Sequence, residues 1–120
     1  MSAMVKVSVI IPVYNVAPYL GECLDSVIQQ SLTDIEIICI DDCSTDDSLQ
    51  LLQKYAVSDS RIRILCNDKN RDVSATRNRG IREAVGKYIF FMDSDDTFFS
   101  NNALESLYDV AITDLADVVW

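Results

Sequence analysis

The segment FFMDSDD, residues 90–96, ends an apolar run in three carboxylates. The apolar run predicts a buried strand. Charges at its exit are costly, because two like charges about 4 Å apart repel by roughly 4 kcal/mol at an effective dielectric of 20. A hard divalent cation such as Mg²⁺ or Mn²⁺ would relieve this repulsion, since it binds carboxylate oxygens. A single aspartate would suit a helix N-cap, whereas three favour a metal site formed by Asp93, Asp95 and Asp96.

Two further polar segments follow predicted strands. Asp41 and Asp42 close one strand, and Pro12, Val13, Tyr14 and Asn15 close another. One aspartate of the Asp41–Asp42 pair suits a turn that caps the next helix. The other suits a carboxylate that accepts a hydrogen bond from a ligand N–H, so both roles stay open for this pair.

Strand and helix patterns alternate along the whole chain. Apolar, β-branched runs predict five strands. Helices with one apolar face lie between them, the first with Pro18 in its first turn, the third ending at Gly86 and the fourth beginning near Asn102. The predicted strands are Val5–Val13, Ile35–Ile40, Ile62–Cys66, Tyr88–Met92 and Ala116–Trp120.

This alternation predicts an α/β fold, with a mostly parallel Rossmann-like sheet and helices on both faces. If the strand order is 3-2-1-4, strands one and four are neighbours at the topological switch point. Ligands of such sheets bind there, outside the carboxyl ends of the strands. The three polar segments, beginning at Pro12, Asp41 and Asp93, are therefore expected to converge on one crevice.

Composition narrows the function further. The chain has 120 residues, with 19 acidic against 10 basic side chains and a net charge of −9, which argues against nucleic-acid binding. It contains no histidine, and its four cysteines form no Cys-x-x-Cys pair, so they are expected to be reduced thiols and not zinc ligands. No apolar stretch has the length of a membrane span, and the start lacks the pattern of a signal peptide, so a cytoplasmic location is expected.

Four segments in order resemble the family 2 glycosyltransferases. They are VSVIIPVYN at residues 7–15, IDDCSTD at 40–46, which is similar to the family's DDGSTD loop, ATRNRGI at 75–81, which is similar to its ARNxG helix start, and YIFFMDSDD at 88–96, which is similar to its strand and DxD motif. The resemblance covers nearly the whole chain. Cys43 stands where the family commonly has glycine, and Arg71 and Asp72 stand where it commonly has small residues.

The resemblance implies a truncated GT-A fold that binds a nucleotide-diphospho-sugar, with UDP-sugars as the expected donors, and Mn²⁺ or Mg²⁺. By position, Pro12 and Tyr14 would border the base, and Asp42 would meet its N–H edge. Asp93 and Ser94 would lie on the nucleotide side, with Asp93 near the ribose. Asp95 would ligate the metal, with Asp93 and Asp96 as further ligands. Independently of the resemblance, the position of Arg77 near the start of the third helix makes it a candidate either to contact the diphosphate of a ligand or to pair with a sheet-end aspartate.

The resemblance also implies inverting transfer to a glycan or lipid-linked acceptor hydroxyl. The family's catalytic base is an acidic residue on the acceptor side, expected beyond residue 120. Residues 1–120 are thus interpreted as one donor-binding domain fragment, without the acceptor half, and inactive in transfer alone. Membrane association through other regions, and self-association through the exposed strand at 116–120, are further expectations.

Two alternatives stay open from sequence. Asp93-Ser94-Asp95-Asp96-Thr97 also fits the DxDxT motif of haloacid-dehalogenase-like phosphatases, in which Asp93 would be the nucleophile and Asp95 the general acid. That motif normally opens its domain, whereas three strand-helix units precede it here. A non-catalytic nucleotide-binding module would use the same crevice without turnover.

Overall fold

The computed structural model describes residues 4–114 as four strands alternating with four helices. The predicted fifth strand at 116–120 lies outside the described residues. In chain order the elements are β1 (Val7–Val13), α1 (Ala17–Ile28), β2 (Ile35–Asp41), α2 (Ser48–Ser58), β3 (Ile62–Cys66), α3 (Val73–Glu83), β4 (Tyr88–Phe91) and α4 (Ala103–Asp114).

The four strands form one parallel sheet in the order β3-β2-β1-β4, which confirms the predicted order. β1 lies in the centre and pairs with both β2 and β4. Val13 at its end pairs with Asp41, and Asp41 pairs with Cys66 of β3. Since all strands run the same way, the loops that follow β1, β2, β3 and β4 emerge at one edge of the sheet, as the switch-point prediction requires.

Helices cover both faces of the sheet, because the strands are apolar on both sides. Alternate residues of β1 from Val7 to Val13 face a large core that also contains buried side chains of α1, α2 and α4. On the opposite face, Ile10, Ile38 and Ile40 form a smaller core against the α3 side. The four helices have 11 or 12 residues each. Among residues 4–114, none has the length and apolar character that crossing a bilayer demands.

Two glycines mark close approaches on the α3 face. A Cβ on Gly80 would lie 2.6 Å from Cγ2 of Ile10, so the glycine lets α3 lie close to the sheet. The prediction that Gly86 ends α3 is wrong, because the helix ends at Glu83 and no glycine among the described residues has a positive φ. Gly86 instead lies against β1, where a Cβ would come within 2.6 Å of the Ser8 nitrogen.

A buried carboxylate closes the amino-terminal end of the sheet. Glu36 of β2 accepts hydrogen bonds from Ser8 Oγ (2.5 Å), the Val85 N–H (2.7 Å) and Arg63 Nη1 (3.1 Å). Burial by itself would raise the pKa of Glu36, but these hydrogen bonds together lower it below its ordinary value. Glu36 therefore ties β1, β2, β3 and the segment before β4 together, at the end opposite the acidic loops.

Candidate functional site

The loops at the carboxyl edge of the sheet enclose a cleft of about 490 Å³, called the central cleft below. Its walls come from the ends of β1, β2 and β4 and from the start of α3. Most of the site residues predicted from sequence line it, as the topology argument requires; these are Pro12, Tyr14, Asp42, Asp93, Ser94 and Asp95.

The loop after β1 is fastened to the loop after β2. Asn15 adopts a left-handed backbone with φ of 50°, which asparagine tolerates better than most residues. Its side-chain Oδ1 accepts hydrogen bonds from the N–H groups of Thr45 (2.7 Å) and Asp46 (3.3 Å), and its own N–H donates to Ser44 Oγ (3.0 Å). These hydrogen bonds fix the backbone next to Tyr14, a residue that is 48% exposed and lines the cleft.

Asp46 joins the starts of α1 and α2. Its Oδ1 accepts from the Ser48 N–H (2.9 Å) and its Oδ2 from the Ala17 N–H (3.2 Å). The hydrogen bond with Ser48 is the largest cause that lowers the pKa of the Asp46 carboxyl. Asp46 therefore caps helix starts, while the adjacent Asp47, the N-cap position of α2, makes no capping bond with its side chain.

The two aspartates after β2 have different surroundings. Asp41 is buried, its Oδ2 accepts from the Ser44 N–H (3.2 Å), and it does not line the central cleft. Asp42 does line it, although the residue is only 7% exposed. Its Oδ1 accepts from Asn67 Nδ2 and from the Arg71 N–H, both at 2.8 Å. Asp42 is thus the member of the pair that can meet a ligand, and Asp41 serves the turn.

Cys43 follows in the left-handed conformation, with φ of 64°. This backbone region favours glycine, because a Cβ is strained there. The conformation explains why the resembled loop commonly carries glycine at this position. The exposed Cys43 adopts the glycine-type conformation, so the turn keeps its shape.

The acidic cluster lies at the mouth of the cleft. Asp93, Asp95 and Asp96 are exposed, and each offers a carboxylate oxygen within 4.8 Å of those of the other two. The Asp96 N–H donates to the Asp93 carbonyl (3.0 Å), which closes the turn that brings the side chains together. A set of three carboxylate oxygens is the donor chemistry that Mg²⁺ and Mn²⁺ prefer, so the residues fit such an ion.

Arg77 lies against this cluster and outside the lining of the central cleft. Its Nη2 donates to Asp93 Oδ1 at 3.1 Å, and its guanidinium sits over the Phe91 ring at 5.8 Å. Arg77 and Asp96 line a neighbouring cleft of about 550 Å³, which shares Asp93 with the central cleft. The structure therefore has Arg77 paired with a sheet-end aspartate, one of the two roles predicted for it.

The negative field of the cluster reaches into the core. Cys23 of α1 donates its thiol to the Asp93 carbonyl oxygen at 3.7 Å. Burial, followed by the charges of Asp96, Asp95 and Asp93, raises the pKa of the Cys23 thiol to about 12. The thiol is therefore protonated at neutral pH and is a packing group, as predicted for the buried cysteines.

Sequence reasoning missed the residues that hold Asp42. Asn67 is buried, follows β3 directly, and contacts Asp42, Thr76 and Arg79. The signal available was its position, because Asn67 stands at the carboxyl end of a strand as Asp42 and Asp93 do. Without the structure, however, nothing in the polar loop 67–72 distinguished Asn67 from its neighbours.

The fold and cleft define an α/β protein with a parallel sheet and an acidic cleft at the carboxyl edge of its strands, and comparison with known proteins specifies its family. Residues 8–120 match the family model described as Glycosyl transferase family 2. The chain belongs to that family. This result favours the glycosyltransferase interpretation over the phosphatase alternative.

Individual relatives agree with the family match. The chain is 42% identical over 113 residues to the uncharacterized glycosyltransferase EpsJ of Bacillus subtilis, which covers 94% of this chain and 32% of EpsJ. It spans between 16% and 40% of the length of eight curated relatives that it matches.

Solved structures confirm the GT-A-like fold. Staphylococcus aureus TarS 1–349 in complex with UDP-GlcNAc superposes with a TM-score of 0.81 at 30% identity, covering 90% of this chain and 31% of TarS 1–349. The mannosyltransferase PcManGT from Pyrobaculum calidifontis, in complex with GDP-Man and Mn²⁺, gives a TM-score of 0.81 at 25% identity, covering 97% of this chain and 34% of PcManGT.

Proposed function

We propose that this chain is the donor-binding part of an inverting glycosyltransferase that uses a nucleotide-diphospho-sugar together with a divalent metal ion. One observation carries the proposal. Six residues predicted from sequence line a single cleft, and three carboxylates with metal-ligand spacing stand at its mouth. The complexes of similar proteins with UDP-GlcNAc, and with GDP-Man and Mn²⁺, support a donor of this chemical class.

Each site residue predicted from the sequence has a part in this proposal. Pro12 and the exposed Tyr14 border the base, and Asp42 accepts a hydrogen bond from the N–H of the base. Asp93 accepts a hydrogen bond from a ribose hydroxyl, and Ser94, next to Asp93, also faces the nucleotide. Arg77, held by Asp93, directs positive charge toward the diphosphate.

Asp95, with Asp93 and Asp96, would hold Mn²⁺ or Mg²⁺. When bound, such an ion supplies positive charge to the diphosphate leaving group. The chain's own contribution is to keep three carboxylates together at the cleft mouth through the turn closed by the Asp96 N–H and the Asp93 carbonyl. That turn leaves the acidic side chains exposed to a ligand entering from solvent.

The acceptor hydroxyl needs a general base within hydrogen-bond reach. The carboxylates of the central cleft are assigned to base, ribose and metal, and we propose an acidic base outside residues 1–120. In this proposal residues 1–120 bind the donor, and transfer to a glycan or lipid-linked hydroxyl requires further chain. A transfer assay of residues 1–120 beside the full-length protein tests this point, and acceptor-dependent product from residues 1–120 alone would contradict it.

Calorimetric titration tests donor binding. UDP is titrated into the full-length protein with Mn²⁺ and, separately, with EDTA. We expect binding that is much tighter with Mn²⁺, because an ion held by Asp93, Asp95 and Asp96 would supply positive charge to the diphosphate. Equal affinity in the two conditions would contradict a role for the metal in donor binding, and an absence of binding to UDP and to GDP would contradict the donor class.

A further inference from the structure

Asn67 is placed to decide how Asp42 faces the central cleft. The residue is 6% exposed, and its backbone is fixed by a hydrogen bond from its N–H to the Asp41 carbonyl at 2.9 Å. Its side-chain Nδ2 donates to Asp42 Oδ1 at 2.8 Å and to Thr76 Oγ1 at 3.1 Å. A buried amide with this set of partners has little freedom to turn.

Arg79 determines the orientation of the Asn67 side-chain amide. Arg79 Nη1 donates to Asn67 Oδ1 at 2.9 Å and to the Cys66 carbonyl at 2.6 Å. A guanidinium has only donors and an ionised carboxylate has only acceptors. The amide oxygen must therefore face Arg79, and the amide NH₂ must face Asp42. Arg79, Asn67 and Asp42 form a directed chain of hydrogen bonds, called the Asp42 relay below.

The relay uses one oxygen of Asp42 and leaves the other for a ligand. Oδ1 is occupied by Asn67 and by the Arg71 N–H at 2.8 Å. Oδ2 makes no hydrogen bond within residues 4–114, although Asp42 lines the cleft. The carboxylate is thus held with a single acceptor oxygen available to the cleft, so a ligand group that meets it must be a donor.

We infer that Asn67, supported by Arg79, is a positioning residue that makes the cleft selective for the base of the donor nucleotide. This inference rests on the proposed function. Uracil carries an N–H at ring position 3, whereas cytosine carries an unprotonated acceptor nitrogen there. A fixed carboxylate oxygen accepts from the first and repels the second. A site built around one polar group rejects a base that leaves that group unpaired.

The decisive variant is Asn67→Asp, because it keeps the shape of the side chain and the partner for Arg79. It replaces the donor group that faces Asp42 and Thr76 with an acceptor, so Asp42 loses its orientation, while the Thr76 hydroxyl can turn to donate to the new acceptor. Asn78→Asp is the matched control, since Asn78 is an exposed residue of α3 outside the central cleft and the charge change is the same. Arg79→Met is a second variant, which frees the Asn67 amide from outside the cleft.

The measurement is calorimetric titration of UDP and of CDP into the full-length protein and its variants with Mn²⁺ present. The wild type is expected to prefer UDP. Asn67→Asp should weaken UDP binding about tenfold and CDP binding much less, so that the preference falls about tenfold. Arg79→Met should lower the preference about threefold, since it acts one bond further away. Asn78→Asp should leave the preference unchanged.

The outcomes separate this inference from the proposed function. If the wild type binds neither UDP nor CDP, the inference is overturned, and the proposed function fails with it only if GDP does not bind either. If the wild type binds UDP and CDP equally, or if Asn67→Asp lowers both affinities by one factor, only the inference is overturned, because Asn67 is then purely structural. If Asn67→Asp does not fold, Arg79→Met decides, and an unchanged preference in that variant overturns the inference.

Discussion

The two acidic sides of the central cleft are stabilised in opposite ways. On the β2 side, Asp42 is 7% exposed and receives two hydrogen bonds from the protein on one oxygen. On the β4 side, Asp93, Asp95 and Asp96 are exposed and lie within 4.8 Å of one another. Within residues 4–114, the single ion pair made by these three carboxylates joins Asp93 to Arg77.

This difference suits each side of the cleft to a different kind of ligand group. A buried carboxylate is costly unless it is hydrogen-bonded, and the protein supplies two hydrogen bonds to Oδ1 of Asp42 before any ligand arrives. Such a group is preorganised for a neutral donor such as a base N–H. Of the three exposed carboxylates Arg77 pairs with Asp93 alone, so a further cation would relieve the repulsion that remains. In the proposed function, the β2 side is therefore suited to recognition of the base, and the β4 side is suited to binding of a metal ion.

The largest effect is expected from a change on the β4 side. Asp95→Asn should weaken Mn²⁺-dependent binding of UDP by about 100-fold or more, because it removes a charged ligand, and residues that merely orient metal ligands already contribute about 10- to 100-fold. Calorimetric titration of UDP with Mn²⁺ measures the loss.

Asp47→Asn is the matched control for that experiment. Asp47 is exposed, it makes no side-chain capping bond, and it lies outside the central cleft. The control should bind UDP as the wild type does. Comparable losses in the two variants, with both folded, would remove Asp95 from the metal site and would leave the β4 side without its distinguishing role.

A smaller effect is expected where the cleft meets the base. Tyr14→Ala should weaken UDP binding about tenfold, since stacking of a base on an aromatic ring contributes about 1–3 kcal/mol. The factor should be the same with Mn²⁺ and with EDTA, because Tyr14 acts through the base and not through the ion.

Tyr19→Ala serves as the comparison for Tyr14. Tyr19 is 58% exposed on α1 and does not line the central cleft, so its loss should leave UDP binding unchanged. A Tyr14→Ala defect that appears only with Mn²⁺ would show that the two sides of the cleft are coupled, and would contradict their separation into base and metal functions.

Arg77 tests whether the β4 side is a repulsive cluster before metal binds. Arg77→Met removes the cation that pairs with Asp93, so the free energy of unfolding in EDTA should fall by about 0.2–1 kcal/mol, the range for an exposed ion pair. Saturating Mn²⁺ should reduce this difference, because the ion takes over the neutralisation of the carboxylates.

Urea unfolding in EDTA and in Mn²⁺ measures both differences for Arg77→Met. Arg82→Met is the control, since Arg82 is an exposed residue of the same helix and makes no ion pair within residues 4–114. An equal loss of stability in EDTA and in Mn²⁺ would mean that Arg77 stabilises α3 by packing on Phe91 and has no link to the metal side.

Topology explains why so much of the cleft was predictable from sequence. The β-branched, apolar strands marked a parallel sheet, and in such a sheet every strand-end loop emerges at one edge. Asp42 and Asp93 are distant in sequence, yet both line the cleft because they follow neighbours of β1 in the strand order. The ends of the strands can be predicted from the pattern of apolar residues, because that pattern depends on which residues are buried and not on the contacts of individual side chains.

The contacts around Asp42 depend on different information. Asn67 turns its amide NH₂ toward Asp42 because Arg79 of α3 binds the amide oxygen, and α3 lies close to the sheet at Gly80. These contacts depend on helix placement and on rotamers, which periodicity does not encode. The prediction that Gly86 ends α3 was wrong for the same reason, because the close contact of Gly86 with Ser8 is a tertiary contact that the sequence pattern does not encode. The partner of a side chain is therefore less predictable than the edge of the sheet on which it lies.

The smallest effect on nucleotide binding is expected from Glu36, which offers a reference for the comparison between the two sides. Glu36 is held by protein donors as Asp42 is, but at the amino-terminal end of the sheet, away from the cleft. Glu36→Gln should therefore leave UDP affinity unchanged while it lowers the free energy of unfolding by about 1 kcal/mol at neutral pH.

The pH dependence of that loss has a definite sign. Because the pKa of Glu36 is lower in the folded protein than its ordinary value of 4.5, its ionised form stabilises the fold above that value, and the stabilisation disappears as the pH falls through the folded pKa. The difference in stability between the wild type and Glu36→Gln should be full near neutral pH and should shrink below about pH 4.5.

Urea unfolding across this pH range, with Glu22→Gln on the exposed face of α1 as control, measures that difference. A difference that stays constant into acid would mean that Glu36 acts by shape alone. A loss of UDP affinity in Glu36→Gln would mean that the two ends of the sheet are coupled. Position at one end of the sheet would then not distinguish a carboxylate that only stabilises the fold from one that binds the ligand.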